Sequence, residues 1–98
     1  MRFKVELHKD VVYYVRRQCD DADRRVFYGK LERIGSDPID ESESIADIEL
    51  SRYLLRFFRF GRHIAIFELD AARDRIIVRQ CRRPKTSRRP RPSPTDGP

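Results

Sequence analysis

Arginines cluster along the second half of the chain in a pattern that suits phosphate binding. Four arginines and no acidic residue lie within residues 52–62, and three more lie within residues 79–83. The seven are Arg52, Arg56, Arg59, Arg62, Arg79, Arg82 and Arg83. A guanidinium group can bind phosphate oxygens through two parallel hydrogen bonds, and it stays charged at any working pH. This cluster therefore predicts a surface that binds anions.

The acidic residues are segregated from these arginines. Residues 37–49 carry six acids and no base, directly before the arginine-rich stretch. A surface with separated charges fits a polyanionic partner, and it also fits an acidic segment of another protein. For a single arginine on a strand, a solvated sheet face that keeps an exposed edge from aggregating is the more frequent explanation. The absence of acids throughout 52–62 favours a binding surface for the cluster as a whole.

Groups that can transfer protons are scarce near these arginines. Arginine is a poor general base, because it does not lose its charge. His63 follows Arg62 directly and is the imidazole in this region, and histidine is a frequent general acid or base near neutral pH. Its side chain alternates with Ile64, so it can also point away from Arg62. Asp47 and Glu49 are alternative bases. We interpret the tyrosines as core or boundary residues and not as platforms for stacking bases: Tyr13, Tyr14, Tyr28 and Tyr53.

The sequence lacks the motifs of several other classes. It contains no Walker loop, no GxGxxG motif and no spacing of cysteines and histidines that predicts a metal site. Cys19 and Cys81 are predicted to be buried or half-buried free thiols in a reducing cytosol. No apolar run approaches the roughly 18 residues of a membrane span, and the first residues do not resemble a secretory signal. We expect a cytoplasmic protein that acts without a metal, a cofactor or a membrane.

Most of the excess positive charge lies near the carboxyl end. The chain has 98 residues and a net charge of +6, of which residues 82–98 carry six basic groups and one acid. Five of the six prolines also lie in that stretch. A basic, proline-rich segment without apolar side chains cannot offset the entropy that ordering costs. We therefore predict one folded domain over residues 1–84 and a disordered tail over residues 85–98.

Hydrophobic periodicity predicts one strand and then two helices in the first part of the domain. Residues 2–8 alternate polar and apolar, which is typical of a half-buried strand. Asp10 is the predicted N-cap of the first helix, and one residue of the Asp20-Asp21 pair is the predicted N-cap of the second. In both helices apolar residues recur every three or four positions. Gly35 begins the sequence that ends the second helix.

The sequence of the second part of the domain predicts a connection followed by three β-strands. Residues 37–49 are predicted to be a solvated connection, because acids dominate them. Three strands follow over residues 53–60, 63–69 and 75–81, with residues 70–74 as a hairpin connection. The order β-α-α-β-β-β predicts an α+β domain.

Two segments resemble the RelE/ParE superfamily of bacterial type II toxin–antitoxin toxins. The first runs from Leu55 to Glu68 and contains a Gly61-Arg62 step into an apolar strand that ends in an acid. The second is the closing strand, which ends in paired basic residues. The resemblance covers residues 2–84. It implies a small, twisted, mainly antiparallel sheet with the two-helix hairpin packed on one face, and a cognate antitoxin that wraps around the toxin.

The superfamily contains two activities, and the resemblance admits both. RelE-like members enter the ribosomal A site and cut the mRNA there, whereas ParE-like members bind DNA gyrase and block it without nuclease chemistry. We expect a RelE-like, ribosome-dependent endoribonuclease, with the ribosome and mRNA as partners. Gyrase inhibition is the alternative. A basic RNA-binding module without toxicity is a third interpretation.

The resemblance also assigns roles to individual residues. Arg62 falls where RelE-like toxins carry the arginine that contacts the scissile phosphate. Arg82 or Arg83 falls near their second functional arginine, and of these two we select Arg83. RelE-like enzymes usually add a lysine on an early strand and a tyrosine or histidine after the last strand. Here residues 52–62 contain arginine but no lysine, and no tyrosine or histidine follows Arg83. His63 is therefore the candidate for proton transfer. The remaining arginines of the cluster are predicted to bind RNA: Arg56, Arg59, Arg79 and Arg82.

Overall fold

The computed structural model describes residues 2–45 and 53–84, which form one mixed β-sheet with two helices packed on one face. The elements, in chain order, are β1 (Lys4–Leu7), α1 (Lys9–Gln18), α2 (Asp21–Ser36), β2 (Glu43–Ser44), β3 (Tyr53–Phe60), β4 (His63–Asp70), a short 3-10 turn (Ala71–Arg73) and β5 (Arg75–Arg82). The α+β architecture predicted from the sequence is confirmed.

The sheet has the strand order β1-β5-β4-β3-β2. Strands β2 to β5 pair with their neighbours in antiparallel fashion, whereas β1 lies parallel to β5 along the opposite edge. The sheet is thus mainly antiparallel, as predicted. Its first and last strands in the chain are neighbours, so residues from both ends of the domain meet at one edge.

The sequence did not predict β2. We expected a solvated connection over residues 37–49, but Glu43 and Ser44 pair with Phe57 and Arg56 of β3. Both β2 residues are exposed, so no apolar alternation marks this strand. Pairing with the edge of β3 creates it, and a rule that reads local periodicity cannot detect that.

The helix caps agree with the prediction at one helix and differ at the other. Asp20 caps α2, since its Oδ1 accepts a hydrogen bond from the Asp23 amide at 2.8 Å. At α1 the predicted cap, Asp10, was wrong. The helix begins two residues earlier, at Lys9, and its N-cap is His8, whose Nδ1 accepts from the Asp10 amide at 3.1 Å. Asp10 instead lies in the first turn, where its charge suits the positive end of the helix dipole.

Aromatic residues fill the core between α2 and the centre of the sheet. The ring of Phe27 from α2 lies 4.9 Å from that of Phe60 and 6.0 Å from that of Phe58. Phe58 also contacts Phe67 of β4, with ring centroids 6.3 Å apart. All four rings are buried. Truncating one of them would cost about 3–5 kcal/mol, so this cluster holds the β3–β4 hairpin firmly against α2.

Gly61 makes the turn between β3 and β4 possible. Its φ of 58° lies in the left-handed region, which side chains other than glycine adopt at a cost. The carboxylate of Asp23 also occupies the space where a Cβ would stand on this residue. Glycine therefore satisfies two requirements here, and the turn brings Arg62 and His63 beside α2.

Some sequence predictions concern residues outside the described ranges. The predicted tail over 85–98 lies there, and so do Asp47 and Glu49, the alternative bases. Within the described ranges, neither α1 nor α2 is long and apolar enough to cross a membrane.

Candidate active site

A cleft lies at the end of the sheet where the β3–β4 turn meets the last residues of β5. The two meet because β4 runs antiparallel to β5, which pairs Ile64 with Arg82. The cleft has a volume of about 390 Å³, and its lining residues come from both helices, the turn and the end of β5: Gln18, Asp20, Asp23, Arg62, His63 and Arg83. The structure thus brings together all three residues that the sequence predicted to be catalytic.

Arg62 and Arg83 enter the cleft from different parts of the chain and are both exposed. Among the described residues, no acid forms an ion pair with either guanidinium, although Asp20 and Asp23 line the same cleft. The Arg83 guanidinium also lies close to Tyr14, where its charge and hydrogen bond act to lower the pKa of the phenol. Both charges are therefore available to an incoming anion.

His63 lies at the floor of the cleft, and only 2% of it is exposed. Its Nδ1 is 2.7 Å from the Tyr14 hydroxyl, and its Nε2 is 3.0 Å from Asp23 Oδ2. The Phe60 ring stacks on the imidazole at 5.2 Å, and the edge of Tyr14 meets it at 5.5 Å. Both ring nitrogens therefore have partners, and a molecule in the cleft reaches almost none of the ring. The predicted proton-transfer role of His63 stays a prediction.

Tyr14 is a candidate functional residue that the sequence did not reveal, because we interpreted it as a core or boundary aromatic. It is half-buried, and burial is the main reason that its pKa is raised above the ordinary value. The neighbouring Cys19 and Cys81 raise the pKa further, and Arg83 opposes them. The phenol is therefore protonated at neutral pH. No local pattern links Tyr14 to His63, since 49 residues separate them.

The predicted RNA-binding arginines on β3 make contacts within the fold. Arg56 Nε donates to Ser42 Oγ at 2.6 Å, and its Nη2 donates to the carbonyls of Ser42 and Ile39 at 3.0 and 3.3 Å. Arg59 Nε lies 3.7 Å from a carboxylate oxygen of Glu43. These two side chains hold the segment before and within β2 against β3.

The predicted RNA-binding arginines on β5 differ from each other. Arg79 stands at an irregularity in the β4–β5 pairing, and its Nε lies 3.1 Å from Glu68 Oε2. Arg82 is exposed and has no ion-pair partner among the described residues. It borders a shallow apolar hollow of about 230 Å³ whose floor includes Ile64 and Ile66. Of these four arginines, Arg82 alone shares the unpaired state of Arg62 and Arg83 within the described residues.

The cysteines are inert and the described residues offer no metal ligands in a cluster. Cys19 and Cys81 are free and buried, as predicted. Burial raises the pKa of Cys81 to about 12 and also raises that of Cys19, so both thiols stay neutral. Across residues 2–45 and 53–84, no three His, Cys, Asp or Glu side chains come together in a way that could hold a metal ion.

The fold closely matches a known structure. One chain of the archaeal RelE–RelB complex from Pyrococcus horikoshii OT3 superimposes on this chain with a TM-score of 0.77, covering 89% of this chain and 100% of that chain. This chain has a RelE-like fold. The sequences are 18% identical, so the likeness lies in the fold. No protein-family model matches the sequence, and no curated protein matches it. The RelE-like fold confirms the architecture that the sequence resemblance implied.

Proposed function

We propose that this protein is the toxin of a type II toxin–antitoxin system and that it cuts mRNA on the ribosome. One observation carries the proposal: two guanidinium groups from distant parts of the chain, Arg62 and Arg83, meet in one cleft and have no acidic partner among the described residues. The RelE-like fold supports it as well. A site with two free cations suits a substrate whose reacting group is a phosphate.

The proposed reaction is an attack by the 2′-hydroxyl of the RNA on the adjacent phosphate. Negative charge accumulates on the phosphate oxygens in the transition state, and fixed cations stabilise it. Arg62 and Arg83 hold these oxygens through charge-assisted hydrogen bonds. Losing one such contact typically costs about 3 kcal/mol, or a hundredfold and more in rate. The cations also fix the attacking and leaving oxygens in line, which lowers the barrier further.

The same free cations provide the basis for inhibition by an antitoxin. Arg62, Arg82 and Arg83 are exposed at one end of the sheet, where an acidic peptide segment would neutralise them. The archaeal protein with the same fold occurs in a RelE–RelB complex. We expect the antitoxin of this toxin to place carboxylates in or beside the cleft.

A second candidate function is inhibition of DNA gyrase by binding. The observation that favours it is the presence of Asp20 and Asp23 in the cleft, because their carboxylates repel RNA phosphates. Arg56 and Arg59 are also engaged within the fold, which reduces the free positive charge on β3. A binding function would spread its contact energy over many residues and would tolerate the loss of one arginine.

Expression of the chain in a bacterium separates the two functions. Under a tightly controlled promoter, the RelE-like activity predicts growth arrest and mRNA cut within translated frames, and co-expression of the protein encoded by the adjacent gene restores growth. In a purified translation system the cuts should appear only when ribosomes are present. Gyrase inhibition predicts a DNA-damage response with intact mRNA. Normal growth at high soluble expression would contradict both functions.

A further inference from the structure

A groove of about 630 Å³ lies next to the cleft, between α1 and the second half of β5. Its lining includes Tyr13, Tyr14 and Gln18 of α1 and Gln80 and Cys81 of β5, and we call it the α1–β5 groove. Its volume falls within the range of about 300–1,000 Å³ that is typical of ligand sites. The proposed reaction at the phosphate leaves this groove without a role.

Three features connect the α1–β5 groove to the cleft. Gln18 lines both of them. Tyr14 lines the groove, and its hydroxyl is 2.7 Å from Nδ1 of His63, which lines the cleft. Cys81 lines the groove and Arg83 lines the cleft, and the Cα atoms of residues two apart are separated by at most about 7 Å. A chain molecule whose phosphate lies in the cleft can therefore place its next unit in the groove.

A β-bulge shapes the β5 side of the groove. Successive residues of a regular strand point to opposite faces, yet Arg79, Gln80 and Cys81 all line the groove. Val78 pairs with Phe67 of β4, and Gln80 pairs with the preceding residue of β4. Arg79 is therefore an extra residue without an opposite number on β4. Bulges of this kind redirect side chains and are frequent beside functional sites.

Tyr13 gives the groove an aromatic surface that is open to solvent. We interpreted this residue from the sequence as a core or boundary aromatic, but 61% of it is exposed. The guanidinium of Arg17, which does not line the groove, lies 5.1 Å from the centre of the ring. This cation–π contact holds the ring in place. Exposed aromatic rings beside a phosphate-binding site are the surfaces on which single-stranded RNA stacks its bases.

The polar groups of the groove suit the edge of a base. Gln18 and Gln80 are exposed, and each amide offers one acceptor and two donors. The acidic and basic side chains in the lining are one of each kind, Asp10 and Arg79. Arg79 Nε already lies 3.1 Å from Glu68 Oε2. The groove therefore offers little attraction to a phosphate and suits a flat, neutral group with hydrogen-bonding edges.

We propose that the α1–β5 groove binds the base of a nucleotide that adjoins the phosphate cut in the cleft. Tyr13 stacks on this base, and Gln18 and Gln80 form hydrogen bonds with its edge. The proposal rests on the function put forward above and adds a specificity site to it. A single strand can turn one base out of its stack and place it in such a groove. The position of the cut then depends on the identity of that base.

Two exposed tyrosines provide a matched test of the stacking. Tyr13→Ala removes the proposed stacking ring, Tyr13→Phe keeps it, and Tyr28→Ala removes a ring that is 49% exposed on α2 outside the groove. In single-turnover cleavage of mRNA on ribosomes, we expect Tyr13→Ala to raise the toxin concentration that gives the half-maximal rate about tenfold. The maximal rate should stay within about twofold, because the stack holds substrate and transition state alike. Tyr13→Phe and Tyr28→Ala should stay within about twofold of the wild type in both quantities.

The base preference of the cut tests the amides. Gln80→Leu keeps the approximate size of the side chain and removes its hydrogen-bonding groups, and Gln80 does not line the cleft. The wild type should cut mRNAs that differ only in the nucleotides flanking the cut at different rates. Gln80→Leu should reduce this difference at one flanking nucleotide about fivefold or more. Arg59→Ala should leave the difference unchanged. Equal wild-type rates on all these mRNAs would contradict the role of the amides.

Each result decides something different. Tyr13→Ala with the wild-type half-maximal concentration overturns the base site and leaves the proposed function standing, and so does an equal loss in Tyr28→Ala. If Tyr13→Ala cuts normally but escapes neutralisation by the protein encoded by the adjacent gene, the groove binds the antitoxin and not RNA. A wild-type chain that does not cut mRNA on ribosomes overturns both proposals. Circular dichroism accompanies each variant, and the base preference of Gln80→Leu decides the question if Tyr13→Ala does not fold.

Discussion

The arginines within β3 and the arginine in the turn that follows it have opposite environments. Arg56 and Arg59, within the strand, contact Ser42 and Glu43 at the β2 edge. Arg62, in the turn that follows, is exposed and has no ion pair within the described residues, as is also true of Arg83 across the cleft. In the sequence, Arg56, Arg59 and Arg62 belong to one cluster without acidic residues. Position relative to the acidic segment, and not residue type, separates arginines that hold the fold together from arginines that remain free.

The pairing of β2 explains this difference. It brings the segment that precedes it, including Ile39 and Ser42, alongside β3. Arg56 donates hydrogen bonds to this segment, and Arg59 forms an ion pair with Glu43 of β2. Arg62 lies in the turn after β3, and within residues 2–45 and 53–84 no acid forms an ion pair with it. Within the described residues, Arg59 therefore has an acidic partner, whereas Arg62 has none.

The largest expected effect is on the cleavage rate, and it should distinguish the arginines without an ion pair from those that have one. Arg62→Ala and Arg83→Ala should each lower ribosome-dependent cleavage a hundredfold or more, about 3 kcal/mol, because a transition-state contact is lost. Arg→Lys at either position should rescue only part, since one ammonium does not reproduce a two-pronged contact. Cleavage rates and growth arrest measure both.

Arg59→Ala is the control, as it removes an exposed arginine of the same cluster that is already paired. Full toxicity of both Arg62→Ala and Arg83→Ala would remove the catalytic assignment and favour gyrase binding. Circular dichroism must show that the variants are folded.

The second effect concerns stability. Arg56→Ala should lower the free energy of unfolding by about 2 kcal/mol, because its two hydrogen bonds to Ser42 are part-buried and join two segments. Arg59→Ala should change it by less than about 0.5 kcal/mol, as its ion pair with Glu43 is exposed. Urea denaturation measures both. Equal effects would mean that the two arginines do not differ as their contacts indicate.

The sequence was sufficient for most of the fold. Alternating residues predicted β1, and the ends of β3, β4 and β5 agree with the predicted strands to within one residue. The Asp20-Asp21 pair predicted an acidic cap for α2 for a reason that is entirely local, and Asp20 is that cap. The parallel pairing of β1 with β5 could not be predicted, because nothing within either strand specifies its neighbour. The exposed residues of β2 carried no periodic signal at all.

The sequence was less informative about the site. It placed Arg62 and Arg83 among the candidates through family resemblance, and the structure brings them to one cleft. Alternation with Ile64 already allowed His63 to point away from Arg62, and the structure buries its ring. Its hydrogen bonds to Tyr14 and Asp23 span 49 and 40 residues, so only the tertiary fold reveals them.

The ion pair between Arg75 and Glu6 provides a contribution to stability that depends on pH. Glu6 on β1 accepts two hydrogen bonds from Arg75 on β5, at 2.8 and 3.0 Å. The hydrogen bond from Arg75 is the main reason that the pKa of Glu6 is lowered. A carboxyl with a lowered pKa stabilises the fold above its unfolded pKa, and this contribution is lost as the pH falls through the folded pKa. Glu6→Gln should therefore lower the melting temperature slightly at pH 7 and leave it unchanged near pH 2. A constant difference across this range would contradict the assignment.

The smallest expected effect concerns residues 85–98, which lie outside the described ranges. They contain no apolar side chain larger than proline. Deleting them should leave the melting temperature of the domain almost unchanged, since they have little surface to bury. A loss of several degrees would show that the segment packs on the domain. The same deletion tests whether basic charge outside the cleft adds to ribosome binding, because that contribution would weaken as salt is raised.

The parallel edge of the sheet also governs when the protein can fold. In the sheet, β1 has β5 as its neighbour, and Lys4 pairs with Arg75 across most of the domain. Such a contact contributes heavily to contact order and is slow to form. During synthesis β1 must wait until β5 has left the ribosomal exit tunnel. Arg83 follows β5 directly, so the cleft is complete only after β5 has joined the sheet beside β1.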